Sequence, residues 1–207
     1  MLNKKSIIEF IATFGYIGKI KYFPGTCGSL AAYPLWYIMF HAILSDKFIF
    51  TSLNNQNSIQ FLLYIFIALL FVALLLFVIG VYCSSLYIKY YSNAKVESLS
   101  NDPKEVVIDE VVGQFLTITL CIISPIILID SQLLQKLSPF AIEVIFYFLL
   151  PFTLFRIFDI LKPWPINWFD RNIHGGIGIM LDDILAAIFS AVMNYAIIII
   201  ILSKYSQ

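Results

Sequence analysis

The sequence has few charged residues. Only 13% of its 207 residues are Asp, Glu, Lys or Arg, whereas 60% are hydrophobic. Soluble domains usually carry about 25% charged residues, so the shortage indicates a membrane protein. The formal net charge is zero, which gives no electrostatic reason to expect nucleic acid as a partner.

Cysteine and histidine are also scarce, and this limits the possible chemistry. Cys27, Cys83 and Cys121 have no metal-binding or redox spacing and suggest no disulfide framework. No arginine follows any of them by six residues, which excludes a cysteinyl-phosphate loop, and the sequence contains no Asp-x-Asp pair. His41 lies in or beside an apolar run, and His174 has no His or Cys nearby. These residues therefore indicate no cysteine- or histidine-based nucleophile, which leaves metal-activated water or a single carboxylate as the candidate attacking group.

Long apolar runs are what the sequence has instead. A helix needs about 20 apolar residues to cross a bilayer. Five segments qualify: Ser29–Leu44, Phe61–Leu86, Val111–Ile129, Pro139–Phe155 and Ile184–Leu202. The N-terminal apolar residues recur at helical spacing, which predicts an amphipathic helix on the bilayer surface. We predict an all-α polytopic membrane fold with about five apolar helices, forming a single domain over residues 1–207.

The distribution of Lys and Arg predicts the orientation of these helices. Five crossings divide the chain into six flanking regions, and ten of the thirteen Lys and Arg residues fall in the first, third and fifth regions. Cytoplasmic flanks are enriched in positive charge, so we predict a cytoplasmic N-terminus. Three polar segments then face the cytoplasm together, and we expect them to form one pocket: Gly25–Ser29, residues 102–114 and Arg156–Asp183.

The first polar segment, Gly25-Thr26-Cys27-Gly28-Ser29, suits a phosphate group. Its glycines let the backbone approach a ligand closely, and a helix N-terminus with free N–H groups follows it. The candidate phosphate contacts are Thr26, Gly28 and Ser29. The alternative is structural: Ser29 or Thr26 is the N-cap of the helix.

In the second segment, Asp102, Pro103 and Glu105 predict a helix start with a capping box. Asp109 and Glu110 then lie nearly two turns into that helix, beyond the reach of a cap and directly before an apolar run. Adjacent carboxylates at an apolar boundary repel each other unless a cation or protons intervene. A functional role is therefore favoured over a solvated surface pair.

The third segment combines bases and acids. Arg156, Asp159 and Lys162 recur every three residues and share one helix face, which also fits an interfacial salt-bridge ladder. Asp170 and Arg171 open the next loop, and glycines at positions 175, 176 and 178 permit a tight turn or a close approach to an anion.

The acid pair Asp182–Asp183 ends this loop before the last apolar run, where only one of the two could be a cap. Carboxylate-rich sites select hard cations such as Mg²⁺, often completed by substrate phosphate, and neighbouring bases bind phosphate oxygens. The residues indicate metal-assisted phosphoryl transfer or hydrolysis at a membrane. The alternative is a non-enzymatic transporter that uses the charges as a cation gate, although only Glu143 comes near mid-span.

Together these segments resemble the phosphatidylglycerophosphatase A family. The resemblance runs from about residue 14 to residue 191, in blocks that occur in the right order. The matching blocks are Gly25-Thr26-x-Gly28-Ser29-Leu30 with Pro34, Asp102-Pro103, Val107-x-Asp109-Glu110-x-x-Gly113-Gln114, Phe155-Arg156-x-Phe158-Asp159-x-x-Lys162-Pro163-x-Pro165, Asp170-Arg171 and Gly175-Gly176-x-Gly178-Ile179-Met180-x-Asp182-Asp183. An Ala-Gly pair expected after the acid pair is Ala186-Ala187 here.

The resemblance implies a Mg²⁺-dependent lipid phosphatase with an all-α fold in the bacterial inner membrane, its active site facing the cytoplasm. It would hydrolyse phosphatidylglycerophosphate to phosphatidylglycerol and inorganic phosphate. We predict that Asp109, Glu110 and Asp182 or Asp183 hold one or two Mg²⁺. The predicted phosphate-binding bases are Arg156, Lys162 and Arg171. Asp159 or Asp170 would act as general acid or base, or orient a neighbouring group.

Overall fold

The structure, a computed structural model, describes residues 3–44, 58–92, 103–122 and 138–205. Within these residues the chain is helical and has no strand. The helices are α1 (Lys4–Ala12), α2 (Pro24–Leu44), α3 (Ser58–Ser92), α4 (Ile108–Cys121), α5 (Pro139–Ile142), α6 (Leu150–Leu161), α7 (Ile166–Asn172) and α8 (Gly175–Tyr205). A 3-10 turn (Ile17–Lys19) follows α1, and a π-helical segment (Glu143–Leu149) joins α5 to α6. The all-helical prediction is confirmed for this part of the chain.

Four of the described helices are long and apolar enough to cross a membrane. The candidate spans are Pro24–Leu44, Gln60–Tyr91, Val144–Leu161 and Gly175–Ser203. A stripe on α3 shows why these faces need lipid: Ile67, Phe71, Leu74 and Val78 follow helical spacing and are 57–64% exposed. Exposed apolar area on this scale is unfavourable in water and neutral in hydrocarbon. The chain is a membrane protein.

The predicted count of five apolar helices is not confirmed. The third predicted span, Val111–Ile129, begins inside α4, but residues 123–129 lie outside the described part of the chain. Helix α4 is instead the centre of the fold, because it packs against α2, α3, α6 and α8 and most of its side chains are buried. Its polar side chains Gln114, Thr117 and Thr119 are buried against protein.

The predicted amphipathic N-terminal helix on the bilayer surface is not confirmed. Helix α1 is present, but it buries Ile8 and Ala12 against the protein, while Ile7 and Phe10 are 44% and 52% exposed. Phe14 lies beyond the helix end and has a left-handed backbone. That α1 lies on a bilayer surface stays a prediction.

Helices α4 and α8 begin where the sequence did not place them. Helix α4 begins at Ile108 and not at Asp102 or Pro103. Asp109 and Glu110 therefore lie in its first turn, and the prediction that they lie nearly two turns in is wrong. The preceding residues follow a tertiary path, in which the Val107 N–H donates to the Ala12 carbonyl at 3.1 Å. Glu105 accepts a hydrogen bond from the Tyr87 hydroxyl at 2.5 Å and is not part of a helix cap. Asp102 lies outside the described residues.

Helix α8 begins earlier than predicted. Asp182 and Asp183 therefore lie two turns inside the helix, and neither is a cap. Gly175 has φ of +77°, a left-handed conformation that favours glycine, and it makes the turn into α8. A Cβ on Gly176 would lie 2.2 Å from Ser85 Oγ, so this glycine lets α8 cross α3 closely.

Candidate active site

The three polar segments meet at one end of the helix array. They contribute the first turn of α2, the first turn of α4, the last turns of α6 and the first third of α8. Helix packing brings these ends together, because α4 contacts α2, α6 and α8. The gathering that the sequence predicted is therefore present, and we call it the polar site.

Three carboxylates form the centre of the polar site. Asp109, Glu110 and Asp183 each place one oxygen within 4.8 Å of the others, although α4 and α8 lie far apart in sequence. We call these three residues the acidic cluster. Asp109 is 8% exposed and Asp183 is 3% exposed. Glu110 Oε2 and Asp183 Oδ2 are buried and have no hydrogen-bond partner among the described residues.

The charge balance of the acidic cluster is unfavourable without a cation. Burial raises the pKa of Glu110 above the ordinary glutamate value, since desolvation penalises the charged form. A hydrogen bond with Asp109 and the charge of Arg156 act in the opposite direction, while the charge of Asp159 adds to the rise. Three carboxylates this close, two of them buried and Glu110 half-buried, need protons or a metal ion to coexist.

Two glycines let the helices of the acidic cluster approach. A Cβ on Gly25 would lie 2.1 Å from Glu110 Oε1 and 3.6 Å from Arg156 Nη1. A Cβ on Gly113 would lie 2.7 Å from the Phe155 ring and 3.0 Å from Asp183 Cβ. The contacts with Glu110, Phe155 and Asp183 are shorter than ordinary ones, so any side chain at either position would displace a neighbour.

Arg156 connects α6 to α2 beside the acidic cluster. Its Nη1 donates to Asp159 Oδ2 at 2.5 Å and lies 3.3 Å from Ser29 Oγ. Ser29 Oγ in turn donates to the Gly25 carbonyl at 3.1 Å. The arginine and Asp159 side chains are 15% and 13% exposed, so this pair is held in place and is not a solvated surface ladder. Arg156 Nε is buried without a hydrogen-bond partner in the described structure.

Lys162 forms the second cationic group. Its ammonium donates to Asp170 Oδ1 at 2.7 Å and to Asp182 Oδ2. Burial lowers its pKa, but the carboxylates of Asp182 and Asp170 outweigh this and raise it above the ordinary lysine value. The residue has φ of 41° and ends α6. A left-handed backbone is costly for a non-glycine residue, and here it directs the ammonium toward α7 and α8.

Adjacent acids on α8 have different partners. Asp183 joins the acidic cluster, whereas Asp182 pairs with Lys162. Successive residues of an α-helix point about 100° apart, so the two carboxylates cannot easily serve one ion. Of the two alternatives predicted as a metal ligand, the geometry favours Asp183.

The remaining predicted residues lie at the margin. Helix α2 begins at Pro24, so neither Thr26 nor Ser29 caps it. Thr26 is half-buried in its first turn, and Gly28 packs against Val107, where a Cβ would make a 3.1 Å contact. Arg171 is exposed, as is the Asp170 side chain at 39%.

Two contacts near the site were not assigned from the sequence. Gln114 is fully buried and its Nε2 lies 3.3 Å from the Tyr33 hydroxyl. Gly25 was expected to let the backbone approach a phosphate, yet in the structure it makes room for Glu110. The spacing of four between Glu110 and Gln114 signalled that they share a face, but nothing in the sequence pointed to Tyr33.

The fold and the polar site define a helical membrane protein with a buried acidic cluster flanked by cationic side chains. A family model described as Phosphatidylglycerophosphatase A matches residues 10–198. The chain belongs to the phosphatidylglycerophosphatase A family and is a phosphatase. This confirms the family resemblance and the assignment as an enzyme, and the transporter alternative gains no support.

Similar proteins agree with this membership. The chain is 34% identical over 174 residues to Phosphatidylglycerophosphatase A of Escherichia coli (strain K12), covering 84% of this chain and 73% of that protein. It is 53% identical over 51 residues to Phosphatidylglycerophosphatase A of Haemophilus influenzae, covering 25% of this chain and 31% of that protein. A protein of Bacteroides thetaiotaomicron, provisionally named phosphatidylinositol-3-phosphatase, is 29% identical over 171 residues, covering 82% and 80%. No solved structure matches the chain.

Proposed function

We propose that the protein hydrolyses phosphatidylglycerophosphate to phosphatidylglycerol and inorganic phosphate, with Mg²⁺ bound by Asp109, Glu110 and Asp183. The observation that supports this most directly is the acidic cluster, in which three carboxylate oxygens lie within 4.8 Å of one another beside Arg156. Family membership supplies the reaction class, and the names of the family and of two relatives support the choice of substrate.

The residues fit Mg²⁺ by their chemistry. The cluster offers only oxygen ligands, which Mg²⁺ prefers, and its few carboxylates leave positions for phosphate oxygens and water. The buried, unpartnered Glu110 Oε2 and Asp183 Oδ2 are acceptors that a cation would satisfy. When bound, Mg²⁺ would neutralise phosphate charge and lower the pKa of a coordinated water.

The cationic side chains would bind the phosphate. Arg156 projects its guanidinium beside Glu110 and has a buried Nε without a partner. Lys162 could exchange one of its two carboxylate partners for a phosphate oxygen. Both groups would then stabilise the charge that develops on the transferred phosphoryl group. Thr26 and the exposed Arg171 are further candidates for phosphate contacts at the rim. The buried Ser29 hydroxyl is a candidate beside Arg156.

A proton must reach the leaving alkoxide and leave the attacking water. Asp159 is better placed than Asp170 for one of these transfers, because its side chain is 13% exposed and is fixed by Arg156. Asp170 is 39% exposed and paired with Lys162, which suits an orienting role. We propose that the polar site faces the cytoplasm across the bacterial inner membrane, as the distribution of Lys and Arg indicates.

The test is phosphate release by the purified full-length protein from phosphatidylglycerophosphate and, in parallel, from phosphatidylinositol 3-phosphate. We expect Mg²⁺-dependent release from the first lipid and its loss with EDTA. Asp109→Asn should lower the rate by at least about 100-fold, because a bound metal ion lowers the free energy of the charged transition state by several kcal/mol. The matched control is Glu9→Gln, which neutralises an acid on α1 that pairs with Lys19. This variant should keep the wild-type rate.

Three results would contradict the proposal. Wild-type turnover by Asp109→Asn would remove the metal assignment. A preference for phosphatidylinositol 3-phosphate would replace the substrate, since one relative carries that name. No phosphate release from either lipid would favour the transporter alternative.

A further inference from the structure

An apolar groove opens between α2, α3, α4 and the π-helical segment. Its volume is about 680 Å³, which lies within the range of small-molecule pockets. Its lining includes Tyr33, Ile38, His41, Leu62, Ile118 and Tyr147. None of the described residues that line it is Asp, Glu, Lys or Arg, so the groove suits an uncharged apolar ligand.

The groove continues the polar site along α4. Glu110, Gln114, Ile118 and Ile122 are spaced by four residues and therefore form one stripe. The first residue belongs to the acidic cluster and the last two line the groove. At 1.5 Å per residue, the stripe changes from carboxylate through amide to aliphatic over about 18 Å.

Helix α2 forms a second, parallel stripe. Ser29 contacts Arg156 at the polar site, and Tyr33, Tyr37 and His41 follow at intervals of four residues and line the groove. The stripes are joined at their second positions, where Gln114 Nε2 lies 3.3 Å from the Tyr33 hydroxyl. The Tyr33 hydroxyl also donates to the Phe148 carbonyl at 2.9 Å. This polar junction marks the boundary between the polar site and the groove.

We propose that the groove binds one acyl chain of the lipid whose phosphate monoester reacts at the acidic cluster. This proposal rests on the proposed function. The order of groups along both stripes matches the order in a glycerophospholipid: phosphate, glycerol and ester, then hydrocarbon. Gln114 and Tyr33 would lie at the level of the glycerol and ester groups, about one helical turn from Glu110.

The groove is accessible from the side that would face the bilayer. Tyr37 and Ile38 line it and are 61% and 57% exposed, and both lie in a candidate membrane span. A lipid could therefore enter sideways without leaving the hydrocarbon. The competing occupants are bulk bilayer lipid, unrelated to the reacting molecule, and another protein segment.

The experiment compares two substrates and three variants of the full-length protein. The substrates are long-chain phosphatidylglycerophosphate and its water-soluble deacylated analogue. Ile38→Trp partly fills the groove from its exposed side, and Ile38→Ala removes an apolar contact without adding volume. Leu74→Trp on α3 is the matched control, because Leu74 is also 57% exposed but does not line the groove.

We expect Ile38→Trp to lower kcat/KM for the long-chain substrate about tenfold. This is the loss expected when about two methylenes of the acyl chain can no longer be buried in the groove. Ile38→Ala should lower it about threefold, from a smaller loss of apolar contact. Both variants should hydrolyse the deacylated analogue at the wild-type rate, and Leu74→Trp should match wild type on both substrates.

The outcomes separate this proposal from the proposed function. Suppose that wild type hydrolyses both substrates. If the Ile38 variants then lower kcat/KM equally for both, or lower it for neither, the groove holds bulk lipid or protein and the proposal fails. An equal loss with Leu74→Trp would overturn it as well. If wild type hydrolyses neither substrate, the proposed function itself fails.

Discussion

Asp182 and Asp183 are neighbours in the chain and have different partners in the fold. Asp183 contributes an oxygen to the acidic cluster, and Asp182 pairs with the Lys162 ammonium. Both are 5% exposed or less, so removing either charge alters a buried pairing. Neutralising each carboxylate should therefore impair activity in a different way.

We predict that Asp183→Asn raises the Mg²⁺ concentration needed for half-maximal activity at least about tenfold, because an amide is a weaker ligand than a carboxylate. Asp182→Asn should leave that concentration nearly unchanged and raise KM, because Lys162 loses one of its two fixed partners. Mg²⁺ titration of phosphate release at several lipid concentrations measures both effects. A larger change in Mg²⁺ demand for Asp182→Asn would reverse the assignment.

At the scale of elements, the site depends on how closely helices approach α4. Gly25 in the first turn of α2 faces Glu110, and Gly113 on α4 faces Phe155 and Asp183. Neither position has space for a methyl group. The same helix packing that buries α4 therefore sets the distances within the acidic cluster.

We predict that Gly25→Ala lowers kcat about 100-fold, the scale expected when a reacting group is misplaced by about 1 Å. Alanine favours a helix over glycine by about 1 kcal/mol, so loss of α2 cannot explain the defect. Helicity and thermal unfolding in detergent should stay at wild-type values while phosphate release falls. Leu30→Ala, on an exposed position of the same helix, is the control; wild-type activity of Gly25→Ala would show that Glu110 has room to move.

At the scale of the whole molecule, several helix ends lie on the side that carries the polar site. Helices α2, α4 and α8 begin there and α6 ends there. The C-terminal part of α3 lies on the same side. A Cβ on Gly80 would contact Met180 of α8, and the Tyr87 hydroxyl donates a hydrogen bond to Glu105. This arrangement is what alternate passes through a bilayer would produce.

We predict that the two ends of the described chain lie on opposite sides of the membrane. Helix α8 has 31 residues and extends about 46 Å, more than the hydrocarbon thickness of about 30 Å. With the native cysteines replaced, an impermeant thiol reagent applied to spheroplasts should label Ser203→Cys and not Lys5→Cys. Detergent-solubilised samples should label at both positions, and labelling of Lys5→Cys in intact spheroplasts would contradict the orientation.

Much of the fold and of the site could be predicted because both depend on local chemistry. Apolar runs long enough to cross a bilayer reveal the long helices, and a shortage of charge makes each acidic or basic segment conspicuous. The segments that hold Asp109, Arg156 and Asp183 were expected to meet, and the structure brings them together.

Helix starts and side-chain contacts could not be predicted from the sequence in the same way. Residues 103–107 carry good helix-start signals, yet contacts with Ala12 and Tyr87 hold them in a non-helical path. The glycines before Asp182 suggested a loop, but they lie in α8 because Gly176 permits its close crossing with α3.

The sequence by itself determined that this is an α-helical membrane protein with a carboxylate-rich site, because hydrophobicity and side-chain chemistry are properties of each residue. Only the tertiary structure decided that Asp183 joins Asp109 and Glu110 while Asp182 pairs with Lys162. It also decided that Gly25 makes room for Glu110 and that Tyr33, which Gln114 contacts, lines an apolar groove. Such distances arise from the angle and depth at which helices pack, and no local pattern records them.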